Sequence, residues 1–156
     1  MLPAKFEVVL VEPKIPPNTG SIARLCAAAG IPLHLVEPLG FEITNSRLKR
    51  AGLDYWEFAQ VQTHGSLDSL IAGLDPRHLC FFSKKATLSY LQAGFHGNEL
   101  LVFGNETEGL GDELLTRYPQ RSFRIPMVQP AVRSLNLANA VSIVVYEALR
   151  QAGCIR

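Results

Sequence analysis

RSLNLANAVSIVVYEALRQ, residues 133–151, runs from a polar loop straight into a helix that is apolar around most of its circumference. A surface helix normally carries one apolar stripe, so this one reads as a buried support or a subunit interface. Ser134, Asn136 and Asn139 can each accept a hydrogen bond from the unpaired N–H groups of the first turn. One cap is enough. Three such residues beside Arg133 imply a loop that binds something polar.

Working back from this helix, the chain alternates between strand and helix patterns. FEVVLV (6–11) is a β-branched run suited to a buried parallel strand, and it ends at Pro13 and the turn IPPNTG. From Gly20 to Ala29 the apolar residues Ile22, Leu25, Cys26 and Ala29 recur at helical spacing, and Gly30 is the stop. Strands are expected at Pro32–Val36, His78–Phe82, Leu100–Phe103 and Ser122–Ile125. Helices are expected at Leu67–Ala72, around Asp112–Arg117 and over Leu137–Gln151. This alternation predicts an α/β fold, a mostly parallel sheet with helices on both faces. No repeat or linker divides the chain, so residues 1–156 are read as one domain.

Composition narrows the function classes. A formal net charge of +1 gives no whole-molecule attraction to nucleic acid, so any RNA contact needs a local basic patch. The candidates are Arg47 with Lys49 and Arg50, Lys84 with Lys85, and Arg117 with Arg121 and Arg124. Three widely spaced cysteines without a CxxC or a His pairing hold no zinc and fit a reducing compartment. MLPAKFEVVLVEP has too short an apolar run for a signal peptide, and no later segment reaches membrane-spanning length. A soluble cytoplasmic protein is expected.

Three loops follow strands, where open α/β sheets bind ligands. In EPKIPPNTGSIAR (12–24), Asn18 or Thr19 is a candidate cap, and Arg24 falls off the apolar stripe, toward solvent, a ligand or a partner. FGNETEGLG (103–111) has three glycines that allow close backbone approach, but neither GxGxxG nor GK[ST] spacing, so phosphate cradling is not supported. Its Glu106 and Glu108 suit hydroxyls or an amine. In RIPMVQPAVRSLN (124–136), Ile125, Pro126, Met127 and Val128 supply apolar surface beside Ser134 and Asn136, the mix of a small-molecule pocket.

NTGSIAR, LLVFGNETEGL and RSLNLANAVSIVVYEALRQ together resemble, in order, the three motifs of the SPOUT superfamily of S-adenosylmethionine-dependent RNA methyltransferases. IPPNTG, RAGLDYWEF (50–58) and RIPMV bring the resemblance closer to the branch that methylates the wobble ribose of tRNA at its 2′-oxygen. The resemblance covers nearly the whole chain. It implies an α/β-knot fold, with a C-terminal trefoil knot formed by residues 104–134 and the last helix tucked through. It also implies a homodimer, tRNA as partner, S-adenosylmethionine as cofactor with S-adenosylhomocysteine as product, and no metal.

Carried over by matching motif, Phe82, Gly104, Ile125 and Ser134 are the implied cofactor contacts, with Met127, Leu135 and Ala140 beside them. Arg24 matches the arginine at the reacting ribose. An arginine is a poor base, so positioning and charge stabilisation are the expected roles. Asn18, Glu106, Ser134 and Asn136 match the remaining catalytic positions, and Tyr146 with Arg133 the dimer or RNA contacts. The chain departs from the branch pattern at Ala138, where relatives often have Ser, and at Asn105, where they often have Pro. Two other readings stand beside this one: 2′-O-methylation of another tRNA position or of ribosomal RNA, and a knotted RNA-binding protein without turnover.

Overall fold

The computed structural model describes residues 5–42 and 59–156. Seven strands form one sheet: β1 (Glu7–Val11), β2 (Leu33–Val36), β3 (Val61–His64), β4 (Leu79–Phe82), β5 (Leu88–Ser89), β6 (Leu100–Phe103) and β7 (Ser122–Arg124). Their spatial order is β3-β2-β1-β6-β4-β7-β5, and every pairing is parallel. The chain moves outward from β1 through β2 to β3, crosses to β4 and β5, then returns twice: β6 fills the slot between β1 and β4, and β7 the slot between β4 and β5.

Among the described residues, four α-helices accompany the sheet: α1 (Pro16–Ala29), α2 (Leu67–Ile71), α3 (Asp112–Arg117) and α4 (Leu137–Gln151). Successive strand residues point to opposite faces, and here both faces are apolar. Val8, Leu10, Leu35, Leu101 and Phe103 pack on one side with Ile22 and Cys26 of α1 and Val141, Val144, Val145 and Ala148 of α4. Val9, Val36, Phe81 and Val102 pack on the other with Ile71 of α2 and, more peripherally, Leu114 and Tyr118. Burial in the first layer pushes the Cys26 thiol up to about 12, and burial likewise raises Cys80 to about 12. No helix among the described residues is long and apolar enough to cross a membrane.

The expected strand at Leu100–Phe103 and helices at Asp112–Arg117 and Leu137–Gln151 form with those bounds. Elsewhere the differences have physical causes. Helix α1 starts at Pro16 rather than Gly20, and neither Asn18 nor Thr19 caps it: the N-cap is Ile15, with no side-chain cap bond. Pro16 and Pro17 carry no N–H, and the Asn18 N–H reaches the Ile15 carbonyl at 3.1 Å, so little is left to cap. The Thr19 hydroxyl is instead buried without a hydrogen-bond partner. Strands β3 and β5 were not expected. One is polar, VQTH, with Gln62 and Thr63 exposed, and the other has only two residues.

Candidate functional site

A cleft of about 350 Å³ opens at the carboxyl ends of β4, β6 and β7, beside the switch in strand order, and the entrances of α1 and α4 complete its walls. Its base is aromatic: Phe82 and Phe103, neighbours in the register of β4 and β6, stack with ring centroids 4.8 Å apart. The volume lies within the range of small-molecule sites, about 300–1,000 Å³.

The loop after β6 folds back on itself. A Cβ added at Gly104 would lie 2.1 Å from the Gly109 carbonyl carbon and 2.3 Å from the Leu110 nitrogen, so only glycine fits. Gly109 has φ +65°, and a bridge joins Asn105 to Gly109. Asn105 Oδ1 accepts from the Thr107 N–H at 3.0 Å, the Thr107 hydroxyl at 3.1 Å and the Glu108 N–H at 2.7 Å. A proline here would fix the backbone through its ring; asparagine does so through its side chain.

Glu106 then reaches across to the loop before α1. Its Oε2 accepts from the Lys14 N–H at 2.9 Å and its Oε1 from the Ile15 N–H at 3.2 Å, while the Lys14 ammonium donates to Glu108 Oε1 at 2.9 Å. On the opposite wall, Ile125 and Met127 lead into a run from Val128 to Asn136 in which every residue is exposed, Val128 completely. Asn136 is the N-cap of α4: its Oδ1 accepts from the Asn139 N–H at 3.2 Å, and its Nδ2 donates to Asn18 Oδ1 at 3.1 Å. Asn139 thus contributes its backbone to the cap rather than its side chain.

All seven residues expected around a cofactor, Phe82, Gly104, Ile125, Met127, Ser134, Leu135 and Ala140, line this cleft. So do Asn18, Glu106, Ser134 and Asn136 of the five expected in catalysis. Arg24 does not. It lies exposed on α1, six residues and nearly two turns beyond Asn18. Tyr146, 45% exposed, lies on α4 and Arg133 in the exposed loop, both also outside the lining.

Of the basic clusters, Arg47, Lys49 and Arg50 lie outside the described residues, as does RAGLDYWEF. Arg117 is paired with Glu113 and Asp68, and Arg121 donates to the carbonyls of Leu79 and Arg77. Lys84 and Lys85 line the cleft. Lys14 escaped the sequence reading because a lysine in a Pro-rich loop announces no partner 94 residues away. Among the described residues, no group of three or more His, Cys, Asp or Glu could hold a metal ion.

A glycine cradle, an aromatic base and apolar and polar side chains in one cleft are the mix of a small-molecule pocket. The model of one protein family, the SpoU rRNA methylases, matches residues 5–146. The chain belongs to that family. SpoU relatives similar over nearly their whole length carry the name tRNA (cytidine(34)-2'-O)-methyltransferase. That of Burkholderia cenocepacia is 48% identical over 151 residues, 95% of this chain and 96% of the relative. That of Escherichia coli K12 is 47% identical over 149 residues, covering 95% and 94%. A solved structure described as giving insights into the 2-OH methylation of C/U34 on tRNA superposes with a TM-score of 0.89 at 44% identity, covering 99% of this chain and 100% of that one. An AdoMet-bound rRNA methyltransferase from Sinorhizobium meliloti superposes with a TM-score of 0.79 at 26% identity, covering 96% of this chain and 57% of that one.

Proposed function

We propose that this chain transfers a methyl group from S-adenosylmethionine to the ribose 2′-hydroxyl of the wobble nucleotide, cytidine or a modified uridine at position 34 of tRNA. The reading is carried by the cleft itself, whose lining gathers the seven residues implied for the cofactor with four of those implied for catalysis. The names of the near full-length relatives support the choice of target.

The residues present fit that cofactor. The Gly104 turn brings backbone groups to the cleft where a side chain would bar them, and Phe82, Ile125, Met127, Leu135 and Ala140 offer apolar surface to an adenine. When bound, the cofactor supplies an electrophilic methyl on a sulfonium. The protein must hold the ribose in line with that methyl and help the 2′-hydroxyl shed its proton as its oxygen takes the new bond. Arg24 offers positive charge to the developing alkoxide. Asn18, fixed by Asn136, and Ser134 orient the ribose and the cofactor's polar end. Glu106 acts through the α1 entrance, since backbone N–H groups engage both of its oxygens.

In this reading the enzyme is a cytoplasmic homodimer, and residues 104–134 form a trefoil knot through which the last helix is tucked. A dimer explains two features at once. Arg24 stands outside its own cleft, and Val132, Leu135, Ile143 and Tyr146 leave apolar surface on the loop and helix next to it. Arg24 of one protomer then serves the cleft of its partner.

Incubation with radiolabelled S-adenosylmethionine and total tRNA, followed by nuclease mapping of the label, tests the proposal. Label on the 2′-oxygen of nucleotide 34 is expected. Label at another nucleotide or in ribosomal RNA moves the target, and no incorporation despite cofactor binding removes the enzyme. Arg24→Ala is expected to lose turnover by at least about 100-fold, the scale of removing one preorganised charge donor, with cofactor binding retained.

A further inference from the structure

The basic residues on the cleft rim are not explained by methyl transfer alone. Four charged side chains line the cleft: Lys84, Lys85, Glu106 and Glu108. The acidic pair is already matched, Glu106 by two backbone N–H groups and Glu108 by the Lys14 ammonium. Lys84 has no carboxylate within ion-pair distance among the described residues. Lys85 pairs with Asp112 at 3.2 Å, but the two side chains are 59% and 79% exposed, an arrangement that is weak in water and free to exchange for another anion. The rim after β4 is therefore the positive side of the cleft.

The backbone beneath these lysines is firmly built. The Ser83 N–H donates to the Phe123 carbonyl of β7 at 2.9 Å, the Lys85 N–H donates to Ser83 Oγ at 3.2 Å, and the Ala86 N–H donates to the Ser83 carbonyl at 3.1 Å. Ala86 is buried at 8% exposure, which pins the far end of the turn. A turn anchored at both ends holds the backbone of two lysines at the rim of the cleft, and their flexible stems let the ammonium groups reach around it; in the reading above the same cleft receives a ribose. That ribose arrives attached to phosphates on both sides.

We propose that the Lys84–Lys85 turn is a contact for the RNA backbone, gripping phosphates that flank the methylated nucleotide, with Asp112 as the counter-ion that Lys85 releases when RNA binds. This inference rests on the RNA-methylating reading above, but it makes its own demand. Each phosphate contact adds to the salt dependence of binding, with a slope of about 0.7 in log K against log salt per contact on a single strand. Phosphate contacts fix register without reading sequence.

The test compares the full-length wild-type protein with Lys84→Ala/Lys85→Ala, Lys84→Arg/Lys85→Arg and Asp112→Asn. Binding of a fluorescent anticodon stem-loop RNA is followed by anisotropy from low to moderate salt, and S-adenosylmethionine binding by calorimetry. The double alanine variant is expected to flatten the salt slope by about 1.4, the sum for two contacts, and to weaken RNA binding about ten-fold at low salt, with the melting temperature and cofactor affinity unchanged. The double arginine variant is expected to keep the wild-type slope, and Asp112→Asn to bind RNA about two-fold more tightly. An unchanged slope in the double alanine variant overturns the proposal. So does a loss confined to cofactor binding, which assigns the lysines to the cofactor's carboxylate instead. Mapping of the methylated nucleotide is independent of these slopes: label away from position 34 corrects the target while the lysine contact stands, and label at position 34 with unchanged slopes removes only the lysine contact.

Discussion

The two loops that face each other across the cleft are built by opposite means. Residues 104–111 are saturated with their own bonds: Asn105 accepts three, Gly104 lies against the backbone of Gly109, and Glu106 fastens the loop to α1. Residues 125–136 hold themselves more lightly, through a turn in which the Val132 N–H meets the Gln129 carbonyl and the Ala131 N–H the Gln129 side chain, and through the bonds of Asn136 to Asn18 and to the Asn139 N–H, and they expose Val128, Val132 and Leu135. The first loop is a cradle finished before any ligand arrives. The second is a surface whose apolar residues gain by being covered, as a cofactor on one side and a second protomer on the other would do. Preorganisation sits where the backbone must fit, and adaptability where partners meet.

The comparison breaks most severely at Gly104. Gly104→Ala puts a methyl into the Gly109 backbone and is expected to cost about 1–3 kcal/mol by overpacking. Cofactor affinity is expected to fall about 100-fold, a loss on the scale of ångström misplacement. Calorimetry reads the affinity. Thiol labelling of the native variant reads whether the damage is local: Cys26 and Cys80, buried and with thiols raised to about 12, should stay unreactive while Cys154 reacts.

Next in size is Asn105→Ala, which strands the Thr107 and Glu108 N–H groups and should cost about 1–3 kcal/mol in urea unfolding. A smaller effect is expected at Asn136, where the second loop meets α1. Asn136→Ala loses a helix cap, worth about 1 kcal/mol, and should lower the melting temperature by about 2–4 °C. Asn136→Ser keeps a capping oxygen without the amide that holds Asn18, so it should recover the melting temperature and leave turnover reduced. If serine restores turnover as well, Asn136 is a cap and nothing more.

In the lightly held loop, Val128→Ser should change unfolding free energy by less than about 0.5 kcal/mol, because its side chain is fully exposed. Val132→Asp should weaken self-association in sedimentation without altering cofactor affinity. An effect of similarly small size belongs to the Lys14–Glu108 pair. Its side chains are 42% and 70% exposed, so solvent screening leaves about 0.2–1 kcal/mol, and Lys14→Ala should reach only that at low salt, with Lys14→Glu/Glu108→Lys restoring it.

The same contrast decides what could be read from the sequence. Helix α4 and strand β6 were legible because apolar periodicity and an unbroken LLVF run leave little choice. The entrance of α1 was misread because its prolines look like loop and are in fact the helix's first turn, where a missing N–H costs nothing. Strand β3 was invisible because a polar edge strand lacks the alternation that marks a half-buried one. At the site, the motifs supplied the residue types, yet no spacing rule gives the pairing of Glu106 with the Lys14 and Ile15 backbone or of Asn136 with Asn18, 118 residues apart. Arg24 was legible as a side chain off the apolar stripe, and its absence from the lining of its own cleft is the fact that only the fold supplies.

The order of the strands has a consequence for how the protein comes to exist. Strand β1 keeps one open edge until β6, residues 100–103, has been synthesised, and β4, flanked by β6 and β7, keeps both edges open until then and one until residues 122–124 follow. Unpaired edges of this kind invite pairing with other chains, and a sheet closed by late, distant segments folds slowly. A ribosome paused before Leu100 therefore holds a nascent chain that cannot finish its own centre, and chaperone capture of such stalled chains should fall once the residues of β6 clear the exit tunnel and fall again once those of β7 do.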